Sequence, residues 1–487
     1  MMPRFLAFLT VAMLPLDVFA QPDPTLVKKF TVTPAAEPRP ALTYTLLPTL
    51  REKTPGNAAL AYLRAFTTRP PAKVGDDAKK HEAATTKFEE AAVEKLNISK
   101  LESHLQPYST LFRELDKASH CDRCEWELLP RRGDDGIGLM LIEVQPAREA
   151  VRYLGLKVKL ELKQNHYPEA AKWLTVGFQT AKHHGEAGVL IQMLVGLATE
   201  NTLLERVEDW IARPDSPNLY WALTALPRPL IDSRIVFEGE AIFFDIMSPE
   251  HFVITQKPMT AEQANRILDE RLAKAKNPEK SIFGPDLDLT TLSKFVAKTD
   301  RAGYIKFHFA NAKNDLLARG HTAKELDAMP QAQVLLLQGY ERFLELRDDQ
   351  RKYLGLPYPD AEAGLKRHLE KQKKMHADNE TDAVLAFYML TLPATERVFF
   401  ASARTERKVA ALRVIEAIRL HAATTNGQLP AKLADITTVP VPDDPVRNKP
   451  FDYTSTGNTF TLSAPVPFGD EPRRYNVCSY AITLKGK

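Results

Sequence analysis

The sequence predicts a mainly α fold: a helical-hairpin, TPR-like body with a small C-terminal α/β hairpin cap. Three observations point there. Apolar residues recur at three- and four-residue steps through most of the chain, as the buried stripe of a helix requires. Proline is abundant, 35 residues, and glycine scarce, 21, and many prolines stand between periodic segments or at helix starts. That is the punctuation of many helices with firm stops. Only the last stretch changes to the two-residue alternation of strands.

The chain opens MMPRFLAFLTVAMLPLDVFAQPDP. Arg4 supplies a positive n-region, and Phe5 to Leu16 an apolar run of signal-peptide length, too short to span a bilayer. Short side chains at Val18 and Ala20 place a cleavage between Ala20 and Gln21. Residues 1–20 are therefore expected to be a signal peptide, and the mature chain to be extracytoplasmic, in the periplasm or secreted. No later stretch reaches the length of about 18 uncharged apolar residues that a membrane span needs.

Residues 21–55 are Pro-rich and read as extended. Leu42, Tyr44 and Leu46 alternate there, as in a short strand or a strip laid on the body. Residues 56–395 are expected to form the helical body. Asn57 is placed to cap a helix carrying Leu60, Leu63 and Phe66 on one face. Another helix is expected from about His81 to Lys95.

The clearest helices lie between Pro146 and Ala212. The first carries Ala147, Val151, Leu154 and Val158 on one line and breaks at Asn165-His166. The second starts around Pro168 with a small-residue face of Ala170, Leu174, Gly177 and Ala181, and stops at Gly185. A third carries Met193, Leu197, Leu204, Val207 and Ile211. Residues 218–247 read as strongly buried, 259–276 and 286–320 as amphipathic helices, and Pro330 opens a long helix through Tyr353.

Residues 396–487 form the expected cap. Ala411, Ile415, Ile418 and Ala422 make a helix face, and Asn426-Gly427 stops it. Phe451 and Tyr453 alternate, Gly457-Asn458 turns, and Phe460, Leu462 and Ala464 alternate again. Cys478, Tyr480, Ile482 and Leu484 share one face of a last strand.

Several pieces carry resemblances. PRPALTYTLLP, TPGNAA, LYWALTALPRPLID, DAMPQAQVLLL and LRDDQRKYLGLPYP, with the stretch from Ala411 to Tyr453, resemble an uncharacterised exported bacterial helical protein family. LKQNHYPEAAKWLTVGFQTAKHHG resembles one tetratricopeptide repeat, on its Tyr167-x-x-Ala170 step and the small Gly177 seven positions later. That likeness implies a helical hairpin at 147–184, and grooves between such helices commonly receive peptides. The segment from Ala411 to Ala464 resembles the C-terminal region of type II secretion pseudopilins, where a helix leads through an N/G-x-L-P loop and a D-P turn into a hairpin. The pilin N-terminal motif is missing. The resemblance brings Asp443, Asp444 and Asp452 forward as calcium ligands, although turn formation beside proline is the simpler role for them.

One stretch looks like chemistry: HCDRCEWEL, His120 to Leu128. Haem attachment needs a histidine directly after the second cysteine, and Glu125 stands there. Zinc wants four ligands, and His120, Cys121 and Cys124 give three, leaving a fourth to come from afar, such as His104 or Cys478. A thioredoxin-like centre needs a βαβ setting. Export makes a local Cys121–Cys124 disulfide the favoured reading, contributing about 1–2 kcal/mol because the loop is short. Two small side chains beside a packed Trp126 is the other reading. His183-His184 is expected at a helix C-terminus, where a charged imidazole favours the negative end of the dipole.

Arg228, Asp232, Arg234 and Glu238 fall in an apolar stretch. Partly buried ion pairs explain them, Arg234 and Glu238 being four residues apart. The alternative is an exported hydrolase with its pocket around Arg228, Asp232 and Glu238. No nucleophile–base set, metal-ligand set or cofactor loop appears, so no catalytic residue, metal or cofactor is expected. Net charge is +3 with both signs interspersed, which excludes a nucleic-acid face. The leading expectation is a non-catalytic envelope protein that binds proteins or peptides through its helical body. Tyr153, Tyr167 and Trp173 are its candidate anchors.

Overall fold

Helices dominate the fold, and most of the apolar stripes named above are the faces they bury. The computed structural model describes residues 27–71, 73–127, 143–239, 250–256, 258–276, 289–392, 395–466 and 477–486. Ala20 and Gln21 lie outside these described residues. The chain divides into two units, one made of residues 1–236 and 401–487, the other of residues 237–400. In sequence the second unit is inserted within the first.

The first unit begins with β1 (Lys28–Val32) and β2 (Thr54–Asn57). The strip between them holds no strand at 42–46. It is nonetheless laid on the body: Leu46 is buried, Thr175 Oγ1 donates to the Thr45 carbonyl at 2.8 Å, and Tyr44 meets Trp210 edge-on. Asn57 caps α1 (Ala58–Thr67), accepting from the Ala59 N–H at 3.1 Å. The buried face of α1 corrects the expected one. Ala58, Tyr62, Ala65 and Phe66 point inward, while Leu60 and Leu63 are 57% and 38% exposed. The large Tyr62 ring decides this, because its hydroxyl finds His183 Nδ1 at 3.0 Å inside the unit.

Three helices follow: α2 (Gly75–Glu90), α3 (Ile98–Leu105) and α4 (Ser109–Ser119). The helix expected to run to Lys95 stops at Glu90, and a short 3-10 turn covers Val93–Lys95. β3 (Cys121–Arg123) pairs parallel with β2. The core is built by α5 (Val144–Lys163), α6 (Tyr167–Gly185) and α7 (Leu190–Ile211). All three pack on one another, and every apolar position named for them is buried. Asn165 turns α5 into α6 at φ 60°. Small residues let α6 and α7 approach closely. A Cβ on Gly196 would lie 2.6 Å from the Gly185 Cα, and one on Gly177 2.5 Å from Leu203 Cδ2. A short helix α8 (Tyr220–Thr224) completes this part.

The second unit contains α9 (Glu250–Gln256), α10 (Ala261–Lys276), α11 (Thr290–Lys298), α12 (Arg301–Ala318), α13 (Ala323–Asp327), α14 (Gln331–Arg351), α15 (Tyr358–Asp378) and α16 (Ala383–Thr391). Its core gathers Ile267, Leu268, Leu316, Leu336, Phe343 and Tyr388. Two polar side chains inside it, Gln333 and Asp382, are held by hydrogen bonds. Gln333 accepts from the Met259 N–H and donates to the Ile254 carbonyl, and Asp382 caps α16 while accepting from the Tyr304 hydroxyl.

α17 (Thr395–Thr424) carries the chain into the rest of the first unit, with Ala411, Ile415, Ile418 and Ala422 fully buried. Asn426 and Gly427 stop it at positive φ, 55° and 82°. The cap is a four-stranded sheet in the order β1-β6-β5-β4, with β4 (Asp452–Thr456), β5 (Thr459–Ala464) and β6 (Cys478–Leu484). β4, β5 and β6 run antiparallel in turn, and β1 adds in parallel beside β6. The cap is thus not wholly C-terminal: the N-terminal segment supplies its edge strand. Lys28 Nζ and the Tyr480 hydroxyl both reach the Glu208 carboxylate of α7, at 2.6 and 3.0 Å.

Candidate functional site

The cysteines of HCDRCEWEL are separate thiols. Cys121 opens β3, and three residues of extended chain advance about 10 Å. A disulfide tolerates α-carbons only about 4.4–6.8 Å apart. Alternation along a strand also turns residues three apart to opposite faces. Cys121 Sγ points at the Lys117 carbonyl at 3.7 Å, and Cys124 accepts from the backbone of Ala59. The pairing with β2 therefore holds apart the two sulfurs expected to bond. Cys478 is buried on the inner face of β6. Burial raises all three thiols above the ordinary range, which makes them poor nucleophiles and metal ligands.

His183 and His184 do end a helix, but not as cations. Both are buried among Tyr62, Phe66 and Trp126, and burial pulls both imidazoles down to about 3. They are neutral near pH 7, so the expected charge–dipole contact is not made. His183 shares hydrogen bonds with Tyr62 and with Gln179 at 2.6 Å, whereas neither ring nitrogen of His184 has a partner.

The residues offered as a hydrolase pocket are divided between the two units. Arg228 and Asp232 belong to the first unit and Glu238 to the second. The Asp232 carboxylate is taken by Arg234, Nε at 2.9 Å and Nη2 at 2.6 Å, and Arg228, Arg234 and Glu238 are exposed. Arg228 instead acts on Glu406 of α17, whose charge in turn reaches Glu200 of α7. Burial, then Glu406, raises Glu200 to about 8. Burial raises Glu406 to about 7, with Arg228 opposing. These two carboxyls titrate near neutrality, and one Glu200 oxygen has no hydrogen-bond partner.

The three aspartates offered to calcium are likewise separated in role. Asp444 is fully buried and its oxygens are occupied by Arg407 and Arg447, while Asp443 and Asp452 are exposed. Among the described residues no group of three or more His, Cys, Asp or Glu is arranged to hold a metal ion. The aromatic anchors are not exposed either. Tyr153 is buried, Trp173 packs on Phe112, and Tyr167 lies against Trp210.

A different constellation surrounds α2. This helix carries little apolar surface, and Thr85 is its one fully buried residue. Polar groups hold it. Arg152 of α5 reaches Glu82 at 2.9 Å and Glu89 at 2.5 and 2.7 Å. Lys159 of α5, only 1% exposed, donates to the carbonyls of Phe88, Glu89 and Ala91 at 2.9, 2.6 and 2.6 Å. Phe88 and Glu89 belong to the last turn of α2, whose carbonyls its own hydrogen bonds leave open, and Ala91 is the residue that follows its end.

His81 and His104 stack there with centroids 4.5 Å apart. His81 Nε2 lies 2.9 Å from the Tyr153 hydroxyl and 3.2 Å from that of Tyr108, and Nδ1 lies 3.3 Å from Lys73 Nζ. A lysine ammonium only donates, so Nδ1 accepts and Nε2 carries the proton. Burial lowers His104 to about 4, helped by His81, Lys73 and Arg152, and burial with Lys73 lowers His81. The two rings line an open groove of about 550 Å³ with Lys73, Asp77, Lys80 and Ala84. One sequence signal marks this site. Arg152 and Lys159 lie seven residues apart inside an apolar helix, opposite Glu82 and Glu89 at the same spacing.

No protein-family profile, curated protein or solved structure matches this chain.

Proposed function

We propose that this chain is an exported, non-catalytic helical protein of the cell envelope that binds proteins or peptides through its first unit. The observation that carries this reading is the way α2 is held. A sixteen-residue helix lies on α5 through two basic side chains, with one fully buried residue of its own. Such a helix contributes little hydrophobic stabilisation, about 25 cal/mol per Å² being the usual yield of burial. Elements of that kind open locally at low free energy. Once open, the face of α5, with Arg152, Lys159 and the Tyr108–Tyr153 stack, is a site for another helix. The signal-like residues 1–20 support export.

The test places a photo-crosslinking residue at His104, on the wall that stays behind when α2 leaves, in the full chain in its native envelope. A crosslinked polypeptide that a synthetic α2 peptide competes away supports the reading. Intramolecular products alone, with measurable turnover of an ester, glycosidic or peptide substrate, overturn it.

The second reading, an exported hydrolase near Arg228, is favoured by one specific feature. Two buried carboxyls, Glu200 and Glu406, are both raised toward neutrality, Glu200 within electrostatic reach of Glu406 and Glu406 of Arg228. A carboxyl raised in this way is suited to act as a general acid. Loss of a measured hydrolytic activity in both Glu200→Gln and Glu406→Gln, with the fold intact, is its test.

A further inference from the structure

The surface that holds α2 is specific in charge as well as shape. Residues seven apart lie nearly above one another on a helix, after almost two full turns. Arg152 and Lys159 therefore share one side of α5. The Arg152 guanidinium bridges both carboxylates of α2, Nη1 to Glu82 Oε2 and Nε with Nη2 to the two oxygens of Glu89. This is the bidentate geometry in which arginine is most selective. One residue before Glu89, the Phe88 ring rests on His104 at 5.3 Å. Directly after it, Lys159 collects the terminal carbonyls. Lys159 is buried, so any occupant of this surface must offer carbonyl acceptors to its ammonium.

We propose that the partner of this surface is an acidic amphipathic helix that takes the place of α2. It presents two carboxylates seven residues apart to Arg152, an aromatic side chain to His104, and its C-terminal carbonyls to Lys159. The proposal rests on the peptide-binding reading above and adds the chemistry of the ligand. A basic helix repels Arg152 and Lys159, and an uncharged one leaves the guanidinium unpaired.

The probe is a fluorescein-labelled synthetic peptide of residues 74–92, with a twin carrying Glu82→Gln and Glu89→Gln. The receptor is the full chain bearing the same two substitutions, which loosen its own α2 at the surface. Fluorescence anisotropy is expected to show the native peptide binding this receptor at least tenfold tighter than the twin. The wild-type chain, whose α2 competes, is expected to bind the native peptide at least tenfold more weakly than the loosened receptor. Adding Arg152→Met to the receptor removes the preference between peptides. Equal affinity for the two peptides overturns the acidic-helix proposal and leaves the peptide-binding reading to its own crosslinking test. Binding of neither peptide, with circular dichroism showing the receptor folded, also overturns it.

Discussion

Arg407 and Asp444 face each other as a planar pair, Nε to Oδ1 at 2.9 Å and Nη2 to Oδ2 at 2.8 Å, with side chains only 2% and 0% exposed. The pair ties α17 to the loop before β4. Removing Arg407 leaves Asp444 buried with Arg447 as its remaining guanidinium partner, Nε to Oδ2 at 2.9 Å. Arg407→Met is therefore expected to lower stability by up to about 3 kcal/mol in urea unfolding. Because guanidinium groups occupy the Asp444 oxygens, added calcium or a chelator should leave the melting temperature unchanged.

Truncation at residue 427 removes Asp444 and also strips β1 of β6, its parallel partner. The faces of Phe460, Leu462, Tyr480 and Ile482 no longer cover the body. We expect the truncated chain to self-associate in size-exclusion chromatography, where a monomer as stable as the full chain would refute the capping role.

Acid should destabilise the first unit. His183 and His184 are depressed in the folded state, to about 3, from an ordinary value near 6.5. The fold favours the neutral ring, so this stability is present above about pH 6.5 and is lost as pH falls toward 3. His184, with no hydrogen-bond partner, accounts for on the order of 4 kcal/mol when fully protonated. Chemical denaturation across pH 3 to 7 measures it, and His184→Phe should flatten the slope.

Glu200 works in the opposite direction. Its folded value is raised to about 8 from the ordinary 4.5. Stability it supports is present below about pH 4.5 and is lost as pH rises through 8. Glu200→Gln mimics the protonated acid, and we expect it to raise the melting temperature at pH 8.5 while changing it little at pH 5.

Lys159 terminates α2 from outside. Lys159→Met keeps the stem and removes the three carbonyl bonds. Hydrogen exchange should show protection of residues 75–90 falling at least tenfold, about 1.4 kcal/mol, with α6 and α7 little affected.

Much of the fold was legible because periodicity reports burial directly. The stripes of α5, α6 and α7, the Asn57 cap, the Asn426-Gly427 stop and the β4–β5 hairpin depend on residues near in sequence. The α1 face was misread for a long-range reason: Leu60 and Leu63 are the larger aliphatics, yet Tyr62 has a buried hydrogen-bond partner far along the chain.

By itself the sequence determined most of the helical segments, several of their stops, and that the end of the chain turns to strands. These follow from backbone preferences and from side chains within a turn or two of one another. Tertiary structure alone decided that β1 joins β6, that Cys121 is held in a strand away from Cys124, and that Arg152 and Lys159 clasp α2. It also decided that Glu200 lies within electrostatic reach of Glu406. Each is a meeting of residues some tens to hundreds of positions apart, and the free energy of such a meeting resides in burial and charge pairing that no local pattern encodes.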